Sequence, residues 1–381
     1  MQSFVQYPFT PPPGAAALRE RIRGFLRDHL PEAPAAQRIN CWAAPDRAFS
    51  EALGEAGFIG MIWPKRYGGH ERHPLERYIV LEELLAAGAP VGLHWIADRQ
   101  TGALLLRYGT EAQRQAYLPE IAKGRLYCCI GMSEPGAGSA LAAVRTRAIR
   151  TDEGWRINGQ KLWTTNAHHS RLMIALVRTG AGSERQEGLT QFLIDLTLPG
   201  VAVRPIVDLA GGTEFNEVFF DNVLVPDTMR VGDEGAGWTQ VTAELSLERS
   251  GPERYLSSFA LFLEFVQQAG PVPDEVTANL IGRLAAELWT LRRMSMSTAA
   301  KLAAGQDPMH EAAIVKDLGT RFEQELPRAI QEVLDARIDL AGDGELVSTL
   351  SLLLQVSPSF SLRGGTAEIL RGIIARGLGL R

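Results

Sequence analysis

Residues 130–139 (IGMSEPGAGS) and 161–166 (KLWTTN) are the two stretches that decide the fold. Each is a short polar or glycine-rich turn at the end of an apolar, strand-like run. Ser133, Ser139 and Thr165 offer hydroxyl groups, and Trp163 offers a flat apolar face. Glycines let backbone N–H groups come close to a flat or phosphorylated ligand. The two turns therefore predict two edges of one ligand site, of a shape that suits a flavin.

These stretches resemble the flavin-binding signatures of the acyl-CoA dehydrogenases, which read roughly TEPxAGSD and WITN and stand here as SEPGAGSA and WTTN. The resemblance extends over nearly the whole chain. Three further segments resemble family motifs: 63–69 (WPKRYGG), 219–226 (FFDNVLVP) and 365–369 (GTAEI). The resemblance implies FAD as the cofactor. It also implies the family's architecture, in which a helical domain, a β-barrel and a helical bundle follow one another.

Composition agrees with a large enzyme, because 381 residues exceed the usual size of a single hydrophobic core. A formal charge of −5 gives no general attraction to nucleic acid or to anionic membranes. No apolar stretch is long enough to span a membrane, and the N-terminus does not resemble a secretory signal. Cys41, Cys128 and Cys129 form neither a disulfide framework nor a metal-ligand spacing, so we expect no metal site and a cytoplasmic location.

The chain reads as three domains, with boundaries at 1–125, 126–235 and 236–381. Helical spacing of apolar residues predicts helices in the first domain at 15–30, 46–56, 74–87 and 111–124. Short β-branched and aromatic runs predict strands in the second at 144–150, 155–157, 172–177, 189–195, 201–205 and 217–221. Asn158-Gly159 favours a tight hairpin turn, and a loop glycine without a ligand role is the alternative interpretation. The third domain is predicted to be a helical bundle, so the fold class is helical, then β-barrel or sandwich, then helical.

The resemblance implies dehydrogenation of an acyl-CoA thioester to the trans-2-enoyl-CoA, with the α proton going to a carboxylate and the β hydride to flavin N5. Many members carry that carboxylate in a Tyr-Glu-Gly-Thr segment, but the matching residues here are RGGT, and Gly364 has no side chain. Other members place the Glu before an Arg on a helix, as Glu248 and Arg249 stand here. We expect Glu248 to be the base and the Gly364 N–H to donate to the thioester oxygen. The alternative is an exposed Glu–Arg pair without a catalytic role.

The family motifs assign further roles by position. Ser139 and Arg249 match substrate-contacting residues, while Ala140 replaces the usual Asp. Arg363 replaces a Tyr, and we expect it to be paired on the surface rather than to bind an acidic acyl group. The cofactor-binding residues implied by the resemblance are Met132, Ser133, Ser139, Trp163, Thr164, Thr165, Thr366 and Glu368.

The expected partners are an acyl-CoA substrate and an electron-transfer flavoprotein that accepts the electrons. Members of the family usually grip the adenosine half of FAD with an Arg-x-x-Phe-Gly segment and a Gln-x-x-Gly-Gly segment, and neither occurs between Glu253 and Phe360. This absence predicts either a homo-oligomer with altered FAD contacts or a heteromer with a related subunit. Two other functions remain open: a flavin-dependent monooxygenase or oxidase on the same fold, and a non-catalytic assembly subunit.

Overall fold

The computed structural model describes residues 6–180, 185–247, 251–334 and 344–380. Within these ranges the helices are α1 (Ala15–His29), α2 (Ala35–Arg38), α3 (Arg47–Glu55), α4 (Pro74–Ala86), α5 (Gly92–Ile96), α6 (Gly102–Tyr108), α7 (Glu111–Ala122), α8 (Gly237–Leu247), α9 (Phe259–Ala269), α10 (Glu275–Ala303), α11 (Met309–Leu334), α12 (Glu345–Val356) and α13 (Ala367–Gly377). The strands are β1 (Cys128–Gly131), β2 (Arg147–Thr151), β3 (Gly154–Lys161), β4 (Leu172–Arg178), β5 (Leu189–Asp195), β6 (Val201–Ile206), β7 (Phe215–Val225) and β8 (Arg230–Val231). The predicted order of helices, sheet and helical bundle is confirmed.

The four helices predicted near the N-terminus are α1, α3, α4 and α7, and three of them begin at side-chain caps. Asp46 accepts a hydrogen bond from the Phe49 amide at 2.8 Å at the start of α3. His73 and Thr110 start α4 and α7 with capping boxes, each completed by the third residue of its helix. Such caps satisfy backbone N–H groups that the first helical turn leaves without a partner. The starts of these helices therefore follow from short local patterns.

The chain divides into two compact units. We call them the helical unit, formed by the described residues of Met1–Trp42, Arg72–Ala89 and Ser246–Arg381, and the sheet unit, Ala43–Glu71 and Pro90–Leu245. Helix α4 thus belongs with the C-terminal helices, although the helices on either side of it in sequence, α3 and α5, belong to the sheet unit. These compact units do not decide the domain boundaries given above, which stay a prediction.

Buried polar contacts join distant parts of the helical unit. The Tyr78 hydroxyl on α4 lies 2.8 Å from both the Tyr255 hydroxyl and Ser295 Oγ on α10. One turn further along α4, Glu82 accepts from Arg292 of α10 and from Arg19 of α1. Because a buried carboxylate is costly unless it is paired, these contacts hold α1, α4 and α10 in one arrangement.

The sheet unit is built on one sheet with the strand order β6-β7-β3-β2-β4-β5-β8, and β1 also pairs with β4. Strand β4 is buried at every position, which explains its continuous apolar sequence. Edge strand β6 instead has only half-buried and exposed positions. All six predicted strands are present, most within a few residues of their expected ends.

The hairpin predicted at Asn158-Gly159 is wrong. Both residues lie inside β3, where the register with β7 shifts between Ile157 and Gly159. The turn between β2 and β3 falls earlier, after Thr151, which pairs with Gly154. Gly159 has a φ of 145°, and a Cβ there would lie 2.6 Å from Thr146 Oγ1. The glycine therefore serves a β-bulge and a close approach of two strands rather than a turn.

Candidate functional site

The two stretches that predict a ligand site lie side by side in the sheet unit. Strand β1 runs parallel to β4, and Met132 and Ser133 follow directly after it. Strand β3 ends at Lys161, and the amide of the next residue, Leu162, donates to the Ser133 carbonyl at 2.9 Å. The start of one turn is thus hydrogen-bonded to the start of the other.

A buried ion pair between Lys161 and Glu134 links the two turns. Lys161 is 0% exposed, and its Nζ donates to Glu134 Oε1 at 2.8 Å, to the Met132 carbonyl at 3.2 Å and to the Leu176 carbonyl at 2.5 Å. The amides of Arg145 and Thr146 donate to the same carboxylate at 2.7 and 3.0 Å. The Glu134–Lys161 pair is therefore buried, with Lys161 fully enclosed and Glu134 7% exposed, and it links the two turns.

Burial and pairing act in opposite directions on the two members of this pair. Burial lowers the pKa of Lys161 to about 8, while Glu134 works against that shift. Burial would raise the pKa of Glu134, but Lys161 and the hydrogen bonds from Thr146 and Arg145 bring it below its ordinary value. Sequence reasoning gave neither residue a role. The available signal was a lysine at the end of an otherwise strand-like run, with a glutamate at the start of the facing turn.

The glycine-rich turn presents its backbone openly. Glu134 and Ala137 exchange two backbone hydrogen bonds of 3.0 Å, which closes a tight loop. A Cβ added at Gly136 or Gly138 would meet nothing within 4 Å, so packing within the described chain does not require glycine at either position. Ser139 is exposed. Open glycines beside a hydroxyl group are what a phosphorylated or flat ligand needs in order to approach the backbone.

The second turn holds an aromatic ring in an unusual conformation. Trp163 is 56% exposed, has a φ of 59°, and contacts Phe215 edge to face at 6.0 Å. A left-handed conformation is costly for a bulky residue and is found mostly where function demands it. The adjoining Thr164 exchanges hydrogen bonds with Asn216, the second residue of β7, which fixes the turn against the start of that strand.

The two threonines of this turn differ in their exposure to solvent. Thr164 is buried, and its Oγ1 is an enclosed polar atom with no hydrogen-bond partner among the described residues. Thr165 is half-buried. An enclosed hydroxyl without a partner, an exposed indole and open glycines together fit a bound flavin better than they fit packing alone.

The predicted C-terminal site residues belong to the helical unit. Gly364 has a φ of 69°, and a Cβ added there would lie 2.9 Å from Nη2 of Arg254. The guanidinium of Arg254 therefore occupies the direction in which a side chain at position 364 would extend. Thr366 is the residue just before α13, and Glu368 is exposed in the first turn of that helix. The pKa of Glu368 lies below its ordinary value, because its own backbone amide and the Thr366 side chain donate to the carboxylate.

Arg363 is paired as expected, but the expected surface position is wrong. Its guanidinium donates to Asn40 Oδ1 and Ser257 Oγ at 2.7 Å and to Glu323 Oε2 at 2.9 Å. It also stacks over the Phe360 ring at 4.0 Å. Burial lowers the pKa of Arg363 to about 10, with Glu323 acting in the opposite direction. This environment depends on residues far away in sequence, so the local pattern RGGT did not reveal it.

Two predicted residues, Glu248 and Arg249, lie outside the described residues, just after α8. Met132, Ser133, Trp163, Thr164 and Thr165 are brought together in the sheet unit.

Within the described ranges, no helix combines the length and the apolar character that crossing a membrane requires.

Comparison with known proteins gives matches over most of the chain. Family models described as acyl-CoA dehydrogenase N-terminal, middle and C-terminal domains match residues 13–125, 129–223 and 253–379. The acyl-CoA dehydrogenase IpdE1 of Mycobacterium tuberculosis is 33% identical over 377 residues, which is 95% of this chain and 97% of that protein. FadE34 of the same organism is 33% identical over 340 residues, and the chain spans only 46% of its length.

Solved structures share the fold at more than a quarter sequence identity. The Tcur3481-Tcur3483 steroid acyl-CoA dehydrogenase gives a TM-score of 0.87 at 26% identity, covering 98% of this chain and 99% of that one. The ChsE4-ChsE5 complex from Mycobacterium tuberculosis gives 0.84 at 28% identity, covering 99% and 100%. On the strength of three family models and of relatives matched nearly end to end, this chain belongs to the acyl-CoA dehydrogenase family and is an oxidoreductase that uses FAD.

Proposed function

We propose that the protein converts an acyl-CoA thioester to its trans-2-enoyl-CoA, with Glu248 as the base that removes the α proton. An α proton is weakly acidic, so its removal needs both a base that is not strongly solvated and donors to the thioester oxygen. The backbone N–H of Gly364 is the proposed donor from this chain. Arg249 and Ser139 are proposed to contact the coenzyme A portion of the substrate.

The observation that carries this proposal is the position of Arg254 against Gly364. Gly364 offers no carboxylate, and the guanidinium lies where a side chain at 364 would project. A carboxylate in contact with a guanidinium has a lowered pKa and is a weaker base. The neighbourhood of Gly364 is therefore unsuited to the base, which supports the alternative position at Glu248.

The residues proposed to hold FAD are those of the two turns in the sheet unit. Ser133 and Thr165 would hydrogen-bond the ring system, the exposed face of Trp163 would pack beside it, and Thr164 Oγ1 would gain a partner. Thr366 and Glu368 are proposed to contact the pyrophosphate and adenosine part. The bound flavin supplies the acceptor for the β hydride, and an electron-transfer flavoprotein is the proposed recipient of the electrons.

Substitution of Glu248 by Gln tests the proposal. We expect Glu248→Gln to retain FAD and to reduce it with substrate on the order of a thousandfold more slowly than the wild type. The measurement is flavin bleaching in anaerobic stopped-flow mixing with a panel of acyl-CoA thioesters. Glu234→Gln makes the same change at an exposed glutamate and is the matched control. Wild-type bleaching rates in Glu248→Gln would remove Glu248 from the mechanism.

We further propose that the active assembly contains a related subunit. Two observations support this: the chain lacks the Arg-x-x-Phe-Gly and Gln-x-x-Gly-Gly segments expected to bind adenosine, and the Tcur3481-Tcur3483 and ChsE4-ChsE5 relatives are each named by two components. Similarity to the Tcur3481-Tcur3483 steroid enzyme makes a steroid-linked acyl group a candidate substrate. Expression of the chain alone tests whether a second subunit is needed, because stoichiometric FAD and full activity without a partner would contradict the heteromer.

A further inference from the structure

A half-open cavity of about 250 Å³ lies beside the glycine-rich turn of the sheet unit. One wall is the start of that turn, residues 134–136, and the facing wall is formed by Gly159 and Gln160 of β3. Arg145 and Thr146, just before β2, complete the lining between them. Pockets that take a whole drug-sized ligand have volumes of about 300–1,000 Å³. This cavity is therefore suited to one part of a ligand, such as a nucleoside, and not to a whole cofactor.

Hydrogen bonds within the sheet unit hold the walls of this cavity. The Arg145 and Thr146 amides donate to the Glu134 carboxylate at 2.7 and 3.0 Å. Thr146 Oγ1 donates to the Gln160 carbonyl at 3.2 Å. The bulge at Gly159 brings β3 so close to Thr146 that a side chain at position 159 would not fit. The cavity is therefore framed by backbone contacts and does not depend on the rotamer of a single side chain.

Arg145 brings a positive charge to the cavity. Its side chain is exposed, and no carboxylate in the described part of the chain forms an ion pair with it. Glu134, the other charged residue of the lining, is already paired with Lys161 at 2.8 Å. Residues 145–147 alternate between exposed and buried, so Arg147 lies on the same face as Arg145. Arg147 therefore adds a second positive charge next to the mouth of the cavity.

The chemistry of the lining suits a phosphate joined to a flat, polar-edged ring. A guanidinium binds phosphate oxygens through two parallel hydrogen bonds. Pro135 and Ala143 give the lining apolar surface, and a Cβ at Gly136 would meet nothing within 4 Å, so a ring has room to enter. The Gln160 amide can both donate and accept, and the bond that it donates to Glu217 at 3.1 Å holds its orientation. Adenine needs this combination of apolar surface for its faces and a mixed donor and acceptor at its edge.

We propose that this cavity binds an adenosine phosphate group, with Arg145 in contact with the phosphate and Gln160 in contact with the adenine. Two molecules carry such a group: FAD, the cofactor of the family, and coenzyme A, whose presence rests on the proposed function. Either can reach the cavity, because Gln160 stands three residues before Trp163 and three residues of chain span at most about 10 Å. This chain would then supply an adenosine contact of its own, although it lacks the family's adenosine segments.

The first measurement is the release of FAD from the FAD-loaded protein on dilution, followed by the rise in flavin fluorescence. Arg145→Gln removes the guanidinium but keeps the amide that Glu134 binds, and Gly136→Leu fills the cavity from an open position. If the adenosine of FAD occupies the cavity, both variants should raise the dissociation constant of FAD about tenfold or more. Arg125→Gln makes the same change at an exposed arginine outside the cavity and should behave like the wild type.

The second measurement is calorimetric binding of non-oxidisable butyl, hexyl and octyl thioethers of coenzyme A to the FAD-loaded protein. If the adenosine of coenzyme A occupies the cavity, both variants should keep FAD and bind the best of these ligands about tenfold more weakly. Adenosine 3′,5′-bisphosphate should compete with that ligand in the wild type. The corresponding pantetheine thioethers lack the adenosine, so their affinity should be the same in the wild type and in both variants.

Unchanged FAD release together with unchanged thioether affinity in Arg145→Gln would overturn the assignment of the cavity, whatever Gly136→Leu does. An effect of Arg145→Gln that Gly136→Leu does not share would place the phosphate contact outside the cavity and contradict it as well. Equal losses for the coenzyme A and pantetheine thioethers would exclude coenzyme A as the source of the adenosine. Failure of the FAD-loaded wild type to oxidise any acyl-CoA would instead contradict the proposed function, and the FAD release measurement would still decide whether the cavity holds the adenosine of FAD.

Discussion

Moving the catalytic carboxylate to position 364 tests the role assigned to Arg254. The double variant Glu248→Gln/Gly364→Glu removes the proposed base and places a glutamate in the segment where many family members carry theirs. If no charged group lay near position 364, the new glutamate would restore proton removal. In this protein we expect it to fail, because Arg254 lies against the position.

The size of the effect follows from the geometry. A Cβ at position 364 would lie 2.9 Å from Arg254 Nη2 and 3.1 Å from its Cζ, so the new carboxylate reaches the guanidinium without difficulty. A contact at ~4 Å in an effective dielectric of about 20 is worth ~4 kcal/mol, which corresponds to a pKa lowered by about 3. The φ of 69° adds ~1 kcal/mol or more of backbone strain for a residue other than glycine.

The assay is anaerobic flavin bleaching with the best thioester of the panel. We expect the double variant to stay at least about a hundredfold below the wild type, since a strongly paired carboxylate is a poor base. Adding Arg254→Gln removes the guanidinium and should recover part of the rate, provided that FAD content shows the triple variant to be folded. Bleaching near the wild-type rate in the double variant would refute the reasoning.

Two further predictions concern the sheet unit. Lys161→Met leaves Glu134 buried without its cation, and we expect a loss of ~3–5 kcal/mol in the free energy of unfolding. Because burial lowers the pKa of Lys161 from 10.5 to about 8, the unfolded chain holds that proton more tightly, and the wild type gains stability as pH rises between these values. The difference in Tm between the wild type and Lys161→Met should therefore widen from pH 8 to 10; a constant or narrowing difference would contradict it. Gly159→Ala places a methyl group 2.6 Å from Thr146 Oγ1 and should lower the free energy of unfolding by ~2 kcal/mol or more. Gly282→Ala, at an open position inside α10, should stabilise the protein slightly. Equal Tm changes in the two variants would exclude the clash.

How far the sequence predicts this molecule depends on the range of the interaction. Strand β4 was predictable because a continuous apolar run buries both of its faces, and α4 and α7 because their caps are local patterns. The two turns of the candidate site were recognisable from their motifs alone. The adjacency of Ser133 and Leu162, in contrast, requires strands β1 and β3 to reach the same end of the sheet.

The errors share one physical cause. Asn158-Gly159 has a strong local preference for a turn, but pairing with β7 outweighs it and converts it to a bulge. The burial of Arg363 and the approach of Arg254 to Gly364 depend on α11 and on the N-terminal segment around Asn40. Contacts between residues 40 to 323 positions apart leave no trace in a local motif, and they are the contacts that set the charge around the site.

The contacts that tie α1 and α4 to α10 have a consequence for synthesis of the chain on the ribosome. Arg19 and Glu82 emerge early, whereas Arg292 and Ser295 emerge only after the whole sheet unit has been made. Chains generally fold from the N-terminus as they are synthesised, at ~5–20 residues per second. The sheet unit can therefore fold while α1 and α4 still wait for their partners. During that interval the face of α4 that packs against α10 is exposed to solvent, so we expect this helix to be prone to aggregation until α10 has been made.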